Sequence, residues 1–387
     1  MIAIDEPADE RKFREEARKF ALDKIAPLAE RIEGGYFPRE VLTELGRQRL
    51  LGAPFDPSDG GLGLGWTFET IVAEEVSAVS GATEMARLAS AALYSAPLAY
   101  FGNKGQKREF LKPVLAGTKV GALALTEPNA GSDAGSIETF AASKGDSFVL
   151  NGQKRFITNG GVADFLLVFA VTRRSKTFRT GFSVLVVPRM SPGLKVNKAY
   201  GLLGMRGSNV AHITFRNVKV PRKNLVGRLH NGFPILLDEL DRERPTVAAG
   251  VLGIARSAFE SAVTYSASRK QFGRPIREFE GVSFKISDMA VKLEASRLLI
   301  NKAARLLDER KNSRLAGAIA KLFATEASFE VANQALQVHG GIGYTKDLPI
   351  ERFFRDARFM MIGGGTSEIM RFLIQREIYR TQALKRS

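Results

Sequence analysis

Apolar residues along this chain recur with a period that changes twice. Up to about residue 118 the spacing is helical, in segments such as EEARKFALDKIAPLAERI and TFETIVAEEVSAV separated by Gly/Pro/Asp loops, including DPSDGGLGLG at 56–65. Short β-rich runs then take over to about 227: VGALALTE, SFVLNG, RFITNG, DFLLVFAVT, GFSVLVVP and HITFRNVKV. Asn151-Gly152 and Asn159-Gly160 read as turns between strands of a barrel or sandwich. From about 228 the helical period returns, with Val282, Ile286, Met289 and Leu293 forming one stripe. The pattern predicts a helical domain over 1–118, a β domain over 119–227 and a helical bundle over 228–387.

With 387 residues, 44% of them hydrophobic, the chain can bury a large core. It shows no run of eighteen apolar residues and no basic, apolar leader, so a cytoplasmic protein without a membrane anchor is expected. The absence of cysteine excludes disulfides, thiolate metal sites and a cysteine nucleophile. Three histidines far apart in sequence, His212, His230 and His339, make no zinc motif. A formal charge of +16 points either to a polyanionic partner or to a solvated positive surface, its basic residues scattered in runs such as RRSK at 173–176 and LKRS at 384–387.

Four segments carry candidate chemistry. ALTEPNAGSD at 124–133 ends a strand-like run in small polar residues, whose N–H groups and hydroxyls could hold an oxygen-rich ligand or form an ordinary turn. SRKQFGRPI at 268–276 could grip a pyrophosphate or simply end a helix with positive charge. QVHGGIGYTKDLPIERFFRDAR at 337–358 is a Gly-rich turn before a helix dense in acid and base. MMIGGGTSEI at 360–369 sets three glycines before a helix start, where Thr366 and Glu368 suit a cap and a first turn. It lacks the Gly-Lys-Ser/Thr of a phosphate loop. The glycines at 60–65 follow no strand and give no dinucleotide fingerprint.

TEPNAGSD, KRFITNGG, RKQFG, QVHGGIGYTKDLPIERFFRDAR and GGGTSEI, in this order and spacing, resemble the acyl-CoA dehydrogenase family of flavoenzymes across the whole chain. The resemblance implies an α+β multidomain fold: an N-terminal helical domain, a middle antiparallel β-barrel domain and a C-terminal four-helix bundle. It also implies homotetramers whose FAD sites are shared between subunits. Leu125, Thr126, Gly131 and Ser132 would line the flavin, Phe156 would lie against its ring, and Thr158 would bond near N5. Arg269, Gln271, Phe272, Gln337, Gly340 and Gly341 would reach the FAD of a neighbouring subunit, with Thr366 and Glu368 completing the cofactor set. Ser132, Asp241, Arg244 and Gly365 would contact the CoA substrate. At Phe279-Glu280 many relatives have Gln after Phe; an ionised acid cannot donate there, so Glu280 makes no adenine contact by that route.

The family reaction removes an α-proton from an acyl-CoA thioester while hydride leaves the β-carbon for flavin N5, which requires one carboxylate base. Many members carry that Glu at the position of Gly364. Two sub-branches, resembling isovaleryl-CoA and long-chain dehydrogenases, supply it from a helix, and that position falls on Glu243 in LDELDRERPTVAAG at 237–250. By composition DELDRER reads as a solvated charged face, although Pro245 predicts a helix distortion beside Glu243. Gly364 keeps the backbone N–H that by resemblance polarises the thioester carbonyl, and its missing side chain frees room for branched acyl groups. The expected product is a trans-2-enoyl-CoA and the expected electron acceptor an electron-transfer flavoprotein. A nucleic-acid-binding relative with little dehydrogenase activity and an acyl-CoA oxidase on the same scaffold stay open as alternatives.

Overall fold

The computed structural model describes residues 6–173 and 181–384, so most of each basic run at 173–176 and 384–387 lies outside it. Helices α1 (Ala8–Phe20), α2 (Trp66–Val79) and α3 (Gly81–Leu88) lead the N-terminal part. Helix α3 is wholly buried and capped by the Ser80 hydroxyl, which accepts from the Thr83 N–H. It runs on through a π-helical stretch, Ala89–Tyr94, into α4 (Ser95–Phe101), and Ala91 and Ala92 are core residues.

The middle part is a single eight-stranded sheet. Its strands are β1 (Gly121–Ala124), β2 (Phe140–Lys144), β3 (Ser147–Ile157), β4 (Phe165–Val171), β5 (Phe182–Pro188), β6 (Leu194–Ala199), β7 (Ala211–Pro221) and β8 (Leu225–Val226). The order is β6-β7-β3-β2-β4-β5-β8, with β1 parallel to β4 off that path, and the end strands β6 and β8 do not pair with each other. The long partners are antiparallel: β4 with β5 and β3 with β7. Asn151-Gly152 is not a turn. SFVLNG and the RFI of RFITNG belong to one strand, and the register against β7 slips there, with Gly152 at φ +145° and a Cβ at that position 2.4 Å from Thr139 Oγ1. Asn159-Gly160 is a turn, held by the fully buried Asn159 side chain donating to the carbonyls of Ala86 and Gly121.

The C-terminal part contains α5 (Gly232–Ser268), α6 (Glu280–Asp308), α7 (Arg314–His339), α8 (Ile350–Phe359) and α9 (Ser367–Leu384). Met289 and Leu293 from the predicted stripe are buried, and Val282 and Ile286 pack against the same core. Helix α5 is long and apolar enough to match a membrane span, but 78% of that window is buried inside the protein, as befits a core helix. It stays α-helical through Pro245, so the expected distortion takes no visible break. The Asp241 carbonyl, which loses its usual donor to the proline, lies beside Gly317 of α7, where a side chain is missing.

A buried ionic knot ties these layers together. Arg14 of α1 bonds Glu74 at 2.8 Å and Glu75 at 2.9 Å of α2, and Arg256 of α5 bonds Glu75 at 2.7 Å. Arg297 of α6 reaches Glu74 at 2.7 Å. Burial pushes the Glu74 carboxyl up, but the three arginines more than offset it and hold the group well below the usual carboxylate range. Glu74→Ala leaves three buried guanidinium groups short of a partner and should cost about 3–5 kcal/mol. A group with a depressed folded pKa stabilises above its unfolded pKa and loses that contribution as pH falls. Thermal unfolding should therefore show a large gap between parent and variant at neutral pH that narrows below about pH 4.

Candidate active site

Glu243 sits inside α5, only 6% exposed, although it lies in the charged run that reads as a solvated face. Its Oε1 stands 2.4 Å from where a Cβ on Gly364 would be, so carboxylate and any side chain at 364 compete for the same volume. Gly364 also has φ +64°, a backbone that favours glycine. Its N–H meets no acceptor among the described residues and remains available to a ligand. The two flanking glycines answer to different neighbours. A Cβ on Gly363 would stand 2.8 Å from the Phe359 ring, and one on Gly365, at φ +88°, would stand 2.9 Å from Met370. The Thr366 hydroxyl accepts from the Ile369 N–H at 3.3 Å and caps α9, with the exposed Glu368 in the first turn.

The charges around Glu243 come from two helices. Lys321 of α7, fully buried, donates from Nζ to the Gly365 carbonyl at 2.5 Å and so pins the glycine loop to the bundle. Burial pulls its ammonium down to about 8, against the opposing pull of Glu243. Arg244, buried beside Glu243, donates to Asp241 at 2.7 Å, and Asp241 also accepts from Arg314 at 2.8 Å. Burial raises the Glu243 carboxyl above its ordinary value, with Arg244 and Lys321 acting in the other direction. One turn earlier on the same face is Glu239, only 2% exposed, whose carboxyl burial and the neighbouring Glu243 drive far upward.

A second group of predicted residues gathers where β1 meets β3. The Arg155 N–H donates to the Thr126 carbonyl at 2.8 Å, and Lys154 Nζ donates to the Leu125 carbonyl at 2.8 Å and to Glu127 at 2.7 Å. Glu127 in turn accepts from the Glu138 and Thr139 N–H groups, closing the loop that carries Gly131 and Ser132, both open to solvent. Phe156 is the unusual member: φ is +58°, an aromatic in the left-handed region, and the side chain is 54% exposed. Arg155 lies 4.7 Å over its ring and Tyr200 packs at 5.0 Å. Such strain costs on the order of 1–3 kcal/mol and marks functional positions. An exposed aromatic face beside the half-buried Thr126 and Thr158 fits a flat, polar-edged ring such as the flavin of FAD.

The third group lies at the far end of the bundle. Arg269, Gln271 and Phe272 follow α5 in a tight hairpin, and Gln337, Gly340 and Gly341 end α7. The two ends are joined by the Tyr265 ring stacked on His339 at 4.6 Å. Phe272 is 92% exposed, and Phe279 packs against it at 5.9 Å beneath Arg274. Along α5 the end of the helix at Ser268 is about 38 Å from Glu243, at 1.5 Å per residue. Within one chain it is therefore a separate place from the glycine loop. Glu280, at the start of α6, is exposed.

Two site residues escaped the sequence reading. Glu239 was legible in principle, because Ile235, Glu239, Glu243 and Val247 form one row at steps of four, and all four are buried. Lys321 is the one charge in the run LAGAIAKLFA, a weaker signal.

The chain matches the family models for the N-terminal, middle and C-terminal domains of acyl-CoA dehydrogenase over residues 7–118, 122–218 and 230–379. It is 41% identical to the Bacillus subtilis (strain 168) protein named "Probable acyl-CoA dehydrogenase YngJ" across 96% of this chain and 98% of that one. Among solved structures, a chain from the work on the electron transferring flavoprotein of Acidaminococcus fermentans superposes with a TM-score of 0.95 at 38% identity, covering 98% of this chain and 100% of that chain. Butyryl-CoA dehydrogenase from Megasphaera elsdenii superposes with a TM-score of 0.94 at 35% identity, covering 98% and 100%.

The shared volume of residues 243 and 364 makes their substitutions interdependent. Gly364→Ala should destabilise the parent, and should cost about 0.5–3 kcal/mol less when Glu243→Ala has already cleared the carboxylate. Denaturant unfolding of the four proteins in that double-mutant cycle measures the difference.

Proposed function

The chain belongs to the acyl-CoA dehydrogenase family of FAD-dependent oxidoreductases, and from that premise we propose that it desaturates a short acyl-CoA, straight or β-branched, with Glu243 as the base that takes the α-proton. The observation that carries this reading is the Glu243 carboxylate filling the volume that a side chain at Gly364 would need.

In this reading the thioester carbonyl lies at the glycine loop, where the free Gly364 N–H donates to the oxygen on which charge develops as the α-proton leaves. Glu243, desolvated and raised above the ordinary carboxylate range, is the stronger base for it. Lys321 fixes the loop from behind through the Gly365 carbonyl. Arg244 and Asp241, with Gly365 and Ser132, meet the CoA moiety. Bound FAD would supply the acceptor for the hydride of the β-carbon. Leu125, Thr126, Gly131, Ser132, Phe156 and Thr158 would hold its ring end, with Thr366 and Glu368 at its near side.

Arg269, Gln271, Phe272, Gln337, Gly340 and Gly341 would serve the FAD of a neighbouring subunit. Their distance from the glycine loop supports this, as does the apolar row Phe284, Val291 and Leu298 exposed on α6. Both features suit a homotetramer with shared cofactor sites. The likeness to butyryl-CoA dehydrogenase favours a short acyl chain, and the room at Gly364 favours branching next to the reacting carbons. The likeness to a chain from an electron transferring flavoprotein study supports an electron-transfer flavoprotein as acceptor.

Anaerobic titration of the FAD-loaded protein with butyryl-, isovaleryl-, octanoyl- and palmitoyl-CoA should bleach the flavin fastest with the first two. Glu243→Gln should keep the FAD spectrum and slow bleaching by about 10²–10⁴-fold. Fast bleaching in that variant would remove Glu243 from the reaction.

A further inference from the structure

Glu239 has no place in the scheme above, yet it is among the most deeply buried carboxyls in the molecule. No backbone N–H and no basic side chain donates to either of its oxygens among the described residues. Four residues on, the carboxyl of Glu243 occupies the same buried face of α5, one helical turn away. Two carboxyls meet as a hydrogen bond only when one of them carries a proton.

Nearby charge decides which one that is. Lys321 acts on Glu243 from α7, while no lysine pairs with Glu239 among the described residues. Arg244 serves both, but its guanidinium is already paired with Asp241. Asp238, on the helix beside Glu239, adds negative charge that further disfavours its ionisation. The other cations nearby are already engaged, Arg314 with Asp241 and Arg242 with Asp238 at 2.8 Å each. One negative charge is thus accommodated, at Glu243, and a second is not.

We propose that Glu239 is a positioning residue for the α-proton base: it holds the single proton of a Glu239–Glu243 pair and, by donating it, keeps Glu243 ionised and aimed at the glycine loop. The proposal rests on the reading of Glu243 as base. No atom is exchanged with the substrate by Glu239; the α-proton ends on Glu243, leaving both carboxyls neutral until that proton returns to solvent. A donor to the ionised form stabilises it, so Glu239 sets the pH above which the base works. It works against the burial that raises the proton affinity of Glu243.

The test compares Glu239→Gln, whose amide N–H can still donate, with Glu239→Leu, which cannot. The rate of anaerobic flavin reduction by butyryl-CoA is followed against pH. In Glu239→Leu the acid limb should move upward by about one pH unit, a tenfold loss of rate below it that is recovered at alkaline pH. In Glu239→Gln it should stay in place. Limbs unmoved in both variants would overturn the proposal, and so would a limb that moves down in Glu239→Gln, which would mean that Glu239 carried charge rather than a proton. An independent reading comes from infrared spectra of the proteins without substrate. Because burial also raises Glu84 and Asp356 to about 7, the reading is the difference from the parent: one protonated-carboxyl C=O component should be lost at neutral pH in Glu239→Gln and kept in Glu243→Gln, and a difference spectrum without that loss overturns the shared proton. Fast flavin reduction in Glu243→Gln would refute the base reading alone, since the infrared result does not depend on it.

Discussion

A carboxylate taken out of water must be met by positive charge or by a proton, and helix α5 faces that constraint at two levels. At one level Glu74 and Glu75 are surrounded by Arg14, Arg256 and Arg297, drawn from three helices, so positive charge outnumbers negative. At the other, Glu239 and Glu243 have Lys321 and a guanidinium already engaged with Asp241. The first arrangement fixes where α5 stands against the rest of the molecule. The second leaves a carboxyl whose affinity for a proton is raised, which is the property a base requires.

Close approach does the remaining work at the glycine loop. A Cβ on Gly363, Gly364 or Gly365 would stand under 3.0 Å from, respectively, an aromatic ring, a carboxylate and a methionine, so a side chain there requires its neighbour to shift. The loop can therefore press against α5 and α7, and the Lys321 bond to the Gly365 carbonyl holds it there. What the chain forgoes in side chains at this point it recovers as backbone: an N–H free to face a ligand and a carboxylate delivered from the neighbouring helix. The sheet contributes a second rigid edge, where the buried Lys154–Glu127 pair stitches the loop after β1 to β3 and leaves Phe156 outward in a strained conformation.

Much of this was legible in the residues. The two changes of hydrophobic period separate helices, strands and helices where the structure has them, and the small polar and glycine-rich segments mark the glycine loop, the loop after β1 and the far end of the bundle. Some elements misled. Asn151-Gly152 looks like a hairpin turn because those residues tolerate positive φ, but a β-bulge demands the same tolerance, and the strand continues through it. FAASK and LKVNKA form strands β2 and β6 with little apolar content, because pairing with their neighbours, not their own pattern, makes them strands.

The sequence by itself determined the order of elements, the family, and the presence of a glycine at 364 and a glutamate at 243, because these depend on residue type and local spacing. Only the tertiary structure decided which charges in DELDRER are desolvated. Burial is a property of what packs against a helix, here α7 and the glycine loop, and those segments arrive from more than 70 residues away. The pairing of Glu239 with Glu243 and the place of Lys321 behind the loop follow from that packing, since a carboxyl's proton affinity is set by the dielectric and the charges around it and not by its neighbours in the chain.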